Sequence, residues 1–291
     1  MKQNILVVLF FCIPFRIFAT EFNVISSIGV QTDYLLEGTK GIQISYQYNF
    51  SDFSNKSNND TILKDCSFTI RTMLYVDSEP IKIAEGYQAV GNESNEITYN
   101  LKLSSVDIEP LGSNQTVTQF IPYAALQLPK GKHTIKIKSE LSGKDALGVF
   151  HQQKEEKDNI IFEKPETYLF TLNIDYIEVN ELNTAGQAWD FAIFNTSAPD
   201  VTVNVEVGNT SVFKANVNDT YMFSVGPKSR NIQFVISKND KVVFRIYDAD
   251  IMFNDFIAKW IFSTNKMPGV VYTYKKPSGN IKSCFLSFKY E

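Results

Sequence analysis

Residues 168–179 read Tyr-Leu-Phe-Thr-Leu-Asn-Ile-Asp-Tyr-Ile-Glu-Val, a stretch in which apolar and polar side chains alternate. Successive side chains of a β-strand point to opposite faces of its sheet, so a period of two collects the apolar positions on one face. The β-branched and aromatic residues in this stretch also favour strands. The stretch therefore predicts a β-strand with one face packed on a core.

The same alternation recurs along the chain, and helical periodicity does not. It is found at 41–48, 98–103, 133–138, 201–207, 241–247 and 270–274. Segments rich in turn-forming residues, at 128–132, 238–241 and 277–280, separate several of these runs. Many short strands at such spacing are typical of sandwiches and barrels. We therefore predict an all-β protein with two β-sandwich domains in tandem.

A polar segment near the middle of the chain indicates the domain boundary. Residues 152–158 read Gln-Gln-Lys-Glu-Glu-Lys-Asp, and Pro165 follows before the next strand. The full length of 291 residues suits two domains of ordinary size. We expect a signal peptide at 1–19, an N-terminal β-sandwich domain at 20–150, a linker at 151–167 and a second β-sandwich domain at 168–291. The alternative is a long loop within one larger sandwich.

Composition excludes several classes of function. The formal net charge is −4 and no polybasic run is present, which argues against binding to nucleic-acid phosphates. With only two histidines and three cysteines, a zinc cluster or a Cys-x-x-Cys redox site is effectively excluded. Carboxylates are the one ligand type in good supply, and they prefer hard cations such as calcium.

The N-terminus has the pattern of an export signal. Lys2 precedes an apolar stretch at 5–15, and Ala19 offers a small residue for cleavage. This stretch is shorter than the roughly 20 residues of a membrane span, although an N-terminal anchor is the alternative. No later stretch approaches spanning length. We expect an exported protein, periplasmic, in the cell envelope or extracellular, with no transmembrane span after signal removal.

Two cysteines remain after the signal. Cys66 alternates with Phe68, and Cys284 alternates with Leu286 and Phe288, so both fall on apolar faces of predicted strands. Cysteine is often buried even when it is not oxidised, whereas an exported protein meets an oxidising environment. The sequence therefore leaves two alternatives for this pair: two buried thiols, or one disulfide between distant segments.

The densest group of ionisable residues follows the strand that ends at Tyr247. Asp248, Asp250 and Asp255 come within one short loop before the apolar pattern resumes. Three carboxylates this close repel one another, and a bound dication removes that repulsion. The alternative is a set of ordinary turn residues, since Asp and Asn are common in loops.

Residues 243–257 resemble the third calcium-binding loop of C2 domains and the strand that follows it, where an apolar strand ends in Tyr-Asp-x-Asp. Upstream, Ala188-Trp-Asp190 and Ala198-Pro-Asp-Val201 resemble the first calcium loop of that family, although the loop is longer and Ala258 replaces the usual Gly. The resemblance covers about 95 residues within the C-terminal half, and the N-terminal half resembles no named family. It implies a C2-like C-terminal domain that binds Ca²⁺ through five side chains: Asp190, Asp200, Asp248, Asp250 and Asp255.

The resemblance also implies a surface for the protein to bind. The calcium loops of C2 domains often dock on phospholipid membranes, and apolar side chains lie in both candidate loops. The membrane-contact candidates are Phe191, Ile193, Phe194, Met252 and Phe253. These side chains could equally fold back and close the end of the sandwich. Trp189 is expected to be a core residue or to lie at the base of its loop.

The expected function is that of a non-enzymatic binding protein. A Gly-x-Ser-x-Gly elbow and a Gly-rich phosphate loop are both absent from the sequence. The partner is then a phospholipid membrane surface or another protein, bound with the help of calcium. One alternative is a structural or assembly protein of the cell envelope with no functional metal site. The other is a carbohydrate-binding or carbohydrate-active module.

Overall fold

The computed structural model describes residues 25–49, 67–87, 90, 97–102, 115–144, 148–183, 185–187, 189, 198–224, 231–249, 254–264, 269–275 and 279–291. For residues 67, 98–102, 115, 254 and 255 only the backbone is described.

The N-terminal half folds into two antiparallel sheets. Its strands are β1 (Ile25–Leu36), β2 (Thr39–Tyr48), β3 (Ser67–Val76), β4 (Glu79–Pro80), β5 (Ile97–Lys102), β6 (Gln115–Pro122), β7 (Gly131–Lys144) and β8 (Phe150–Lys164). One sheet has the order β1-β2-β6, and the other has the order β4-β3-β7-β8 with β5 beside β4 on the same edge of β3.

The C-terminal half forms a second pair of antiparallel sheets. Its strands are β9 (Thr167–Val179), β10 (Val201–Val207), β11 (Thr210–Val217), β12 (Met222–Phe223), β13 (Asn231–Ser237), β14 (Lys241–Ala249), β15 (Asn254–Ser263), β16 (Tyr272–Tyr274) and β17 (Ile281–Tyr290). One sheet has the order β11-β10-β14-β15. In the other, β12 and β13 share one edge of β9, followed by β17 and β16. This two-sheet sandwich is of the kind that the C2 resemblance implies.

Burial follows the predicted alternation. On β9, Phe170, Leu172 and Ile174 are fully buried, and on β2 the side chains of Ile42 and Ile44 are fully buried too. Strands such as β2 and β9 thus give one apolar face to the space between the two sheets of their sandwich, which is the condition for a sandwich core. The prediction of an all-β protein with sandwiches in tandem is confirmed.

The predicted linker at 151–167 is, for most of its length, the long edge strand β8. It pairs with β7 from Gly131↔Lys164 to Lys144↔Phe150. Its polar character is that of an edge strand, because charged side chains on an exposed edge discourage pairing with other chains. Cross-strand ion pairs use these charges: Lys136 contacts Glu156, and it also lies 3.3 Å from Asp158. Only Pro165 and Glu166 separate β8 from β9.

A buried polar network joins the two sheets of the N-terminal sandwich. The Tyr46 hydroxyl contacts the Thr72 hydroxyl, and it lies 3.2 Å from both Gln119 Oε1 and Ser139 Oγ. All four side chains are buried, on β2, β3, β6 and β7. Because burial disfavours the charged phenolate, the pKa of Tyr46 is raised. The hydroxyl therefore remains a neutral partner that ties the sheets together.

We expect Tyr46→Phe to lower the free energy of unfolding by about 1–3 kcal/mol, because it removes the central hydroxyl and leaves buried polar partners less well satisfied. Urea denaturation measures the change. Tyr75→Phe is the matched control, since the Tyr75 hydroxyl is part-buried and donates to Met73 Sδ at 3.4 Å, outside the network. Equal effects of the two substitutions would show that the network adds nothing to stability.

Candidate functional site

The predicted acidic residues that the structure describes, Asp200, Asp248 and Asp255, fall at one end of the C-terminal sandwich. There β10 and β15 begin and β9, β11 and β14 end, as the antiparallel pairs Val201↔Asp248 and Asp248↔Asp255 require. Backbone hydrogen bonds tie the neighbouring loops together, from Asn180 N to Asn280 O at 2.8 Å and from Thr220 N to Pro199 O at 2.9 Å. We call the described residues of this region the acidic end: 180–183, 185–187, 189, 198–200, 218–221, 248–249, 254–255 and 279–280.

Asp248 lies at the centre of this arrangement. Its side chain is fully buried and continues the inward-facing series of Phe244 and Ile246 on β14. Its Oδ1 accepts a hydrogen bond of 2.7 Å from the backbone N–H of Asp200. The Asp200 carbonyl in turn accepts the N–H of Ala249 at 2.9 Å. The start of β10 and the end of β14 are therefore held together by both main chain and carboxylate.

Asp200 connects to a third loop through a residue that sequence reasoning missed. Its Oδ1 accepts the backbone N–H of Asp219 at 2.8 Å. Asp219 follows β11 and has a φ of +50°, a left-handed conformation that Asp and Asn adopt more readily than other side-chain residues. The pair Asn218-Asp219 after a strand is a recognisable turn signal, although it gives no indication of which loop the turn meets.

Three of the five predicted ligand positions are neighbours in the sheet. Asp200 precedes β10 by one residue, Asp248 lies on β14, and the backbone of Asp255 on β15 pairs with Asp248. The other two predicted ligands, Asp190 and Asp250, lie outside the described residues. Within the described part of the chain, no three His, Cys, Asp or Glu side chains are grouped so as to hold a metal ion.

Trp189 lies at the base of its loop, as predicted. The indole is 5% exposed, and its Nε1 donates a hydrogen bond of 2.8 Å to the carbonyl of Asn180. This contact fastens residue 189 to the end of β9 and keeps the ring out of solvent, so Trp189 is not an exposed membrane anchor.

The large apolar side chains exposed at or beside the acidic end include Phe256, Leu182 and Met222, and the last two lie on or after strands of the other sheet. Leu182 follows β9 and is 52% exposed, and Met222 on β12 is 53% exposed. Neither was singled out from the sequence, because isolated apolar residues give no pattern. The predicted membrane-contact residues Phe191, Ile193, Phe194, Met252 and Phe253 lie outside the described residues. No helix in the described part of the chain has the length and apolar character needed to cross a membrane.

Cys284 is buried on β17 beside Leu286 and Phe288, as the alternation predicted. Burial raises the pKa of the Cys284 thiol, because the thiolate is disfavoured there. Cys66 and the predicted signal peptide lie outside the described residues.

Comparison with known proteins yields little sequence similarity. No family model matches the chain, and no curated protein matches it. Among the solved structures that match is a calcium-bound pair of C2 domains, the A and B domains of extended-synaptotagmin 2. It is 11% identical, covers 79% of this chain and 97% of that chain, and has a TM-score of 0.31. This likeness is too low to assign the chain to a family.

We expect Asp248→Ala to lower the free energy of unfolding by about 1–3 kcal/mol when measured in chelator, because the Asp200 N–H loses its acceptor. Asp248→Asn keeps an acceptor oxygen, so we expect a smaller loss. Urea denaturation of both variants tests this, with Asp158→Ala as the control for removing an exposed carboxylate from an ion pair. A loss for Asp158→Ala equal to that for Asp248→Ala would contradict the assignment.

Proposed function

We propose that this chain is an exported, non-enzymatic binding protein whose C-terminal sandwich binds calcium at the acidic end. The observation that carries the proposal is the adjacency of Asp200, Asp248 and Asp255 at the ends of three neighbouring strands, with Asp200 one residue before β10. Asp190 and Asp250 are the proposed further ligands; in the sequence, Asp190 comes between β9 and β10, and Asp250 comes between β14 and β15. Carboxylate oxygens are the ligands that calcium prefers, and extracellular calcium modules work at 10⁻⁴–10⁻³ M.

The proposed partner is a phospholipid membrane surface, with another protein as the alternative. Support comes from the exposure of Leu182 and Met222 beside the acidic carboxylates. Apolar side chains of this size contribute about 1.5–3 kcal/mol each when fully buried. A bound calcium ion would also bridge the carboxylates to anionic headgroups. Binding would then be weak without calcium and stronger with it.

One observation favours a second candidate, a structural or assembly protein with no functional metal. The carboxylates of Asp248 and Asp200 each accept a backbone N–H from a neighbouring loop, at 2.7 and 2.8 Å. Such bonds stiffen the end of a sandwich without any cation. On this hypothesis the carboxylates of the acidic end serve only to hold neighbouring loops together, and calcium adds nothing to partner binding.

A thermal melt of the mature chain separates the two candidates. We expect millimolar calcium, but not magnesium, to raise the melting temperature above its value in chelator. The gain approaches about 2.7 kcal/mol when calcium exceeds its Kd a hundredfold. The double variant Asp248→Asn with Asp250→Asn should fold and show no calcium shift. An unchanged shift in that variant would remove the ligand assignment, and no shift in the wild type would leave the second candidate.

Vesicle sedimentation tests the proposed partner. We expect calcium to increase binding to vesicles that contain phosphatidylserine, and a double variant Leu182→Asp with Met222→Asp to reduce it several-fold, because two apolar contacts are replaced by charges that anionic lipid repels. Ile161→Asp is the control, since Ile161 is 51% exposed on β8 of the other sandwich. Equal loss in the control would argue against docking by the acidic end.

A further inference from the structure

The two sandwiches meet end to end in a contact that the proposed function does not use. The N-terminal side consists of the β1–β2 turn at 37–40, residues 86–87 and Lys164 at the end of β8. The C-terminal side consists of Gly208 between β10 and β11, residues 233–241 around the β13–β14 turn, and Arg245. We call this contact the joint.

Three glycines show how closely the joint is packed. Gly38, Gly86 and Gly208 all have positive φ, and each faces the opposite sandwich. A Cβ placed on them would lie 2.6 Å from Lys241, 2.5 Å from Phe234 and 2.6 Å from Phe120, respectively. These distances are shorter than ordinary carbon contacts, so the two sandwiches are closely packed at these three positions.

Polar contacts cross the joint as well. The fully buried Tyr87 donates its hydroxyl to the carbonyl of Val235 at 2.7 Å. Arg245 bridges the two halves, with Nη2 at 3.0 Å from Glu37 Oε2 and Nε at 2.7 Å from Glu206 Oε2. The docked arrangement is therefore specified by directional bonds in addition to packing.

A buried acid and a buried base lie on opposite sides of the joint, and the charge of each shifts the pKa of the other. Asp240 and Lys164 are each only 2% exposed, although they come from opposite sandwiches. The Asp240 carboxylate accepts the backbone N–H of Ser237 at 2.7 Å, and it also accepts the backbone N–H of Lys40 from the other half. Burial raises the pKa of Asp240 to about 7, against the lowering effects of these bonds and of Lys164.

The other charged or polar groups near Asp240 are Tyr87, three lysines and Thr264. Burial, and then the charge of Asp240, raises the pKa of Tyr87 well above its ordinary value. Burial lowers the pKa of Lys164, and the charge of Asp240 raises it. The Lys40 side chain is exposed, 3.8 Å from Asp33, and Thr264 contributes a neutral hydroxyl to the Asp240 carbonyl at 3.0 Å. The stem of Lys241 lies over Gly38.

We propose that the buried carboxyl of Asp240 makes the joint a proton-operated latch, which holds the two sandwiches together more tightly at mildly acidic pH than at neutral or slightly alkaline pH. A carboxyl that binds its proton more tightly when docked than when exposed links docking to proton uptake. Its stabilising contribution is complete below the ordinary pKa of 3.8 and is lost as pH rises through about 7. The latch is independent of calcium binding.

Amide hydrogen exchange at pH 5.5 and pH 8.0, corrected for intrinsic rates, tests the latch on the full mature chain. The reporter is the amide of Lys40, which donates to Asp240 from the opposite sandwich, whereas the Ser237 amide donates to Asp240 within its own turn. We expect the protection of the Lys40 amide to be up to about thirtyfold greater at pH 5.5, the ratio that pKa values of 3.8 undocked and about 7 docked give by proton linkage. Reference amides of Ile44 and Val203, in the two sandwich interiors, should show no comparable change.

Two variants make the test specific. Asp240→Asn keeps an oxygen for both amides and should abolish the pH dependence, whereas the matched control Asp158→Asn should retain it. Lys164→Met should move the transition to higher pH, because it removes the positive charge that lowers the pKa of Asp240. Equal protection of the wild type at both pH values, a slope that persists in Asp240→Asn, or a uniform change that includes the reference amides would each overturn the proposal.

Discussion

The short connection between β8 and β9 constrains where the second sandwich lies and which of its strand ends meet the first sandwich. With only Pro165 and Glu166 between two strands of 15 and 13 residues, the second sandwich must begin where the first one ends. The start of β9 therefore lies at the joint, and its far end, about 40 Å away at 3.3 Å per residue, lies at the acidic end. Antiparallel pairing then places the ends of β10, β14 and β15 at one or other of these two ends, whereas β12 and β13 follow each other along one edge of β9.

This sorting separates two groups of carboxylates that are close in sequence. Asp240 precedes β14 and Asp248 lies near its end, so roughly 25 Å of extended chain stands between them. A cation at the acidic end and a proton at the joint therefore act on different loops. Any coupling between them must pass through β14 and its neighbours, and charges at that distance are largely screened at physiological salt.

The sequence predicted well those strands whose own residues alternate between apolar and polar side chains. The alternating runs at 168–179 and 201–207 became β9 and β10 almost residue for residue, because one buried face is enough to produce the pattern. The charged strand β8 was misread as a linker, because most of its side chains between Phe150 and Asn159 are exposed and give no apolar alternation. Contacts between distant segments left no local trace: the register of Val201 with Asp248, the bond from Asp219 to Asp200, and the glycines of the joint all depend on pairing across the fold.

The acidic end and the joint each bury a carboxyl group, Asp248 and Asp240, and they offset the cost of that burial in different ways. At the acidic end, carboxylates that accept backbone amides through one oxygen can still offer the other to a cation, since a carboxylate has about four lone-pair sites. At the joint, the Asp240 carboxyl is buried and accepts two backbone amides, and the charge of Lys164 lowers its pKa. An asparagine at 240 could accept both amides through its carbonyl oxygen without burying a charge. The geometry of the turn therefore does not require a carboxyl there, and what the carboxyl adds is a docking equilibrium that depends on protons.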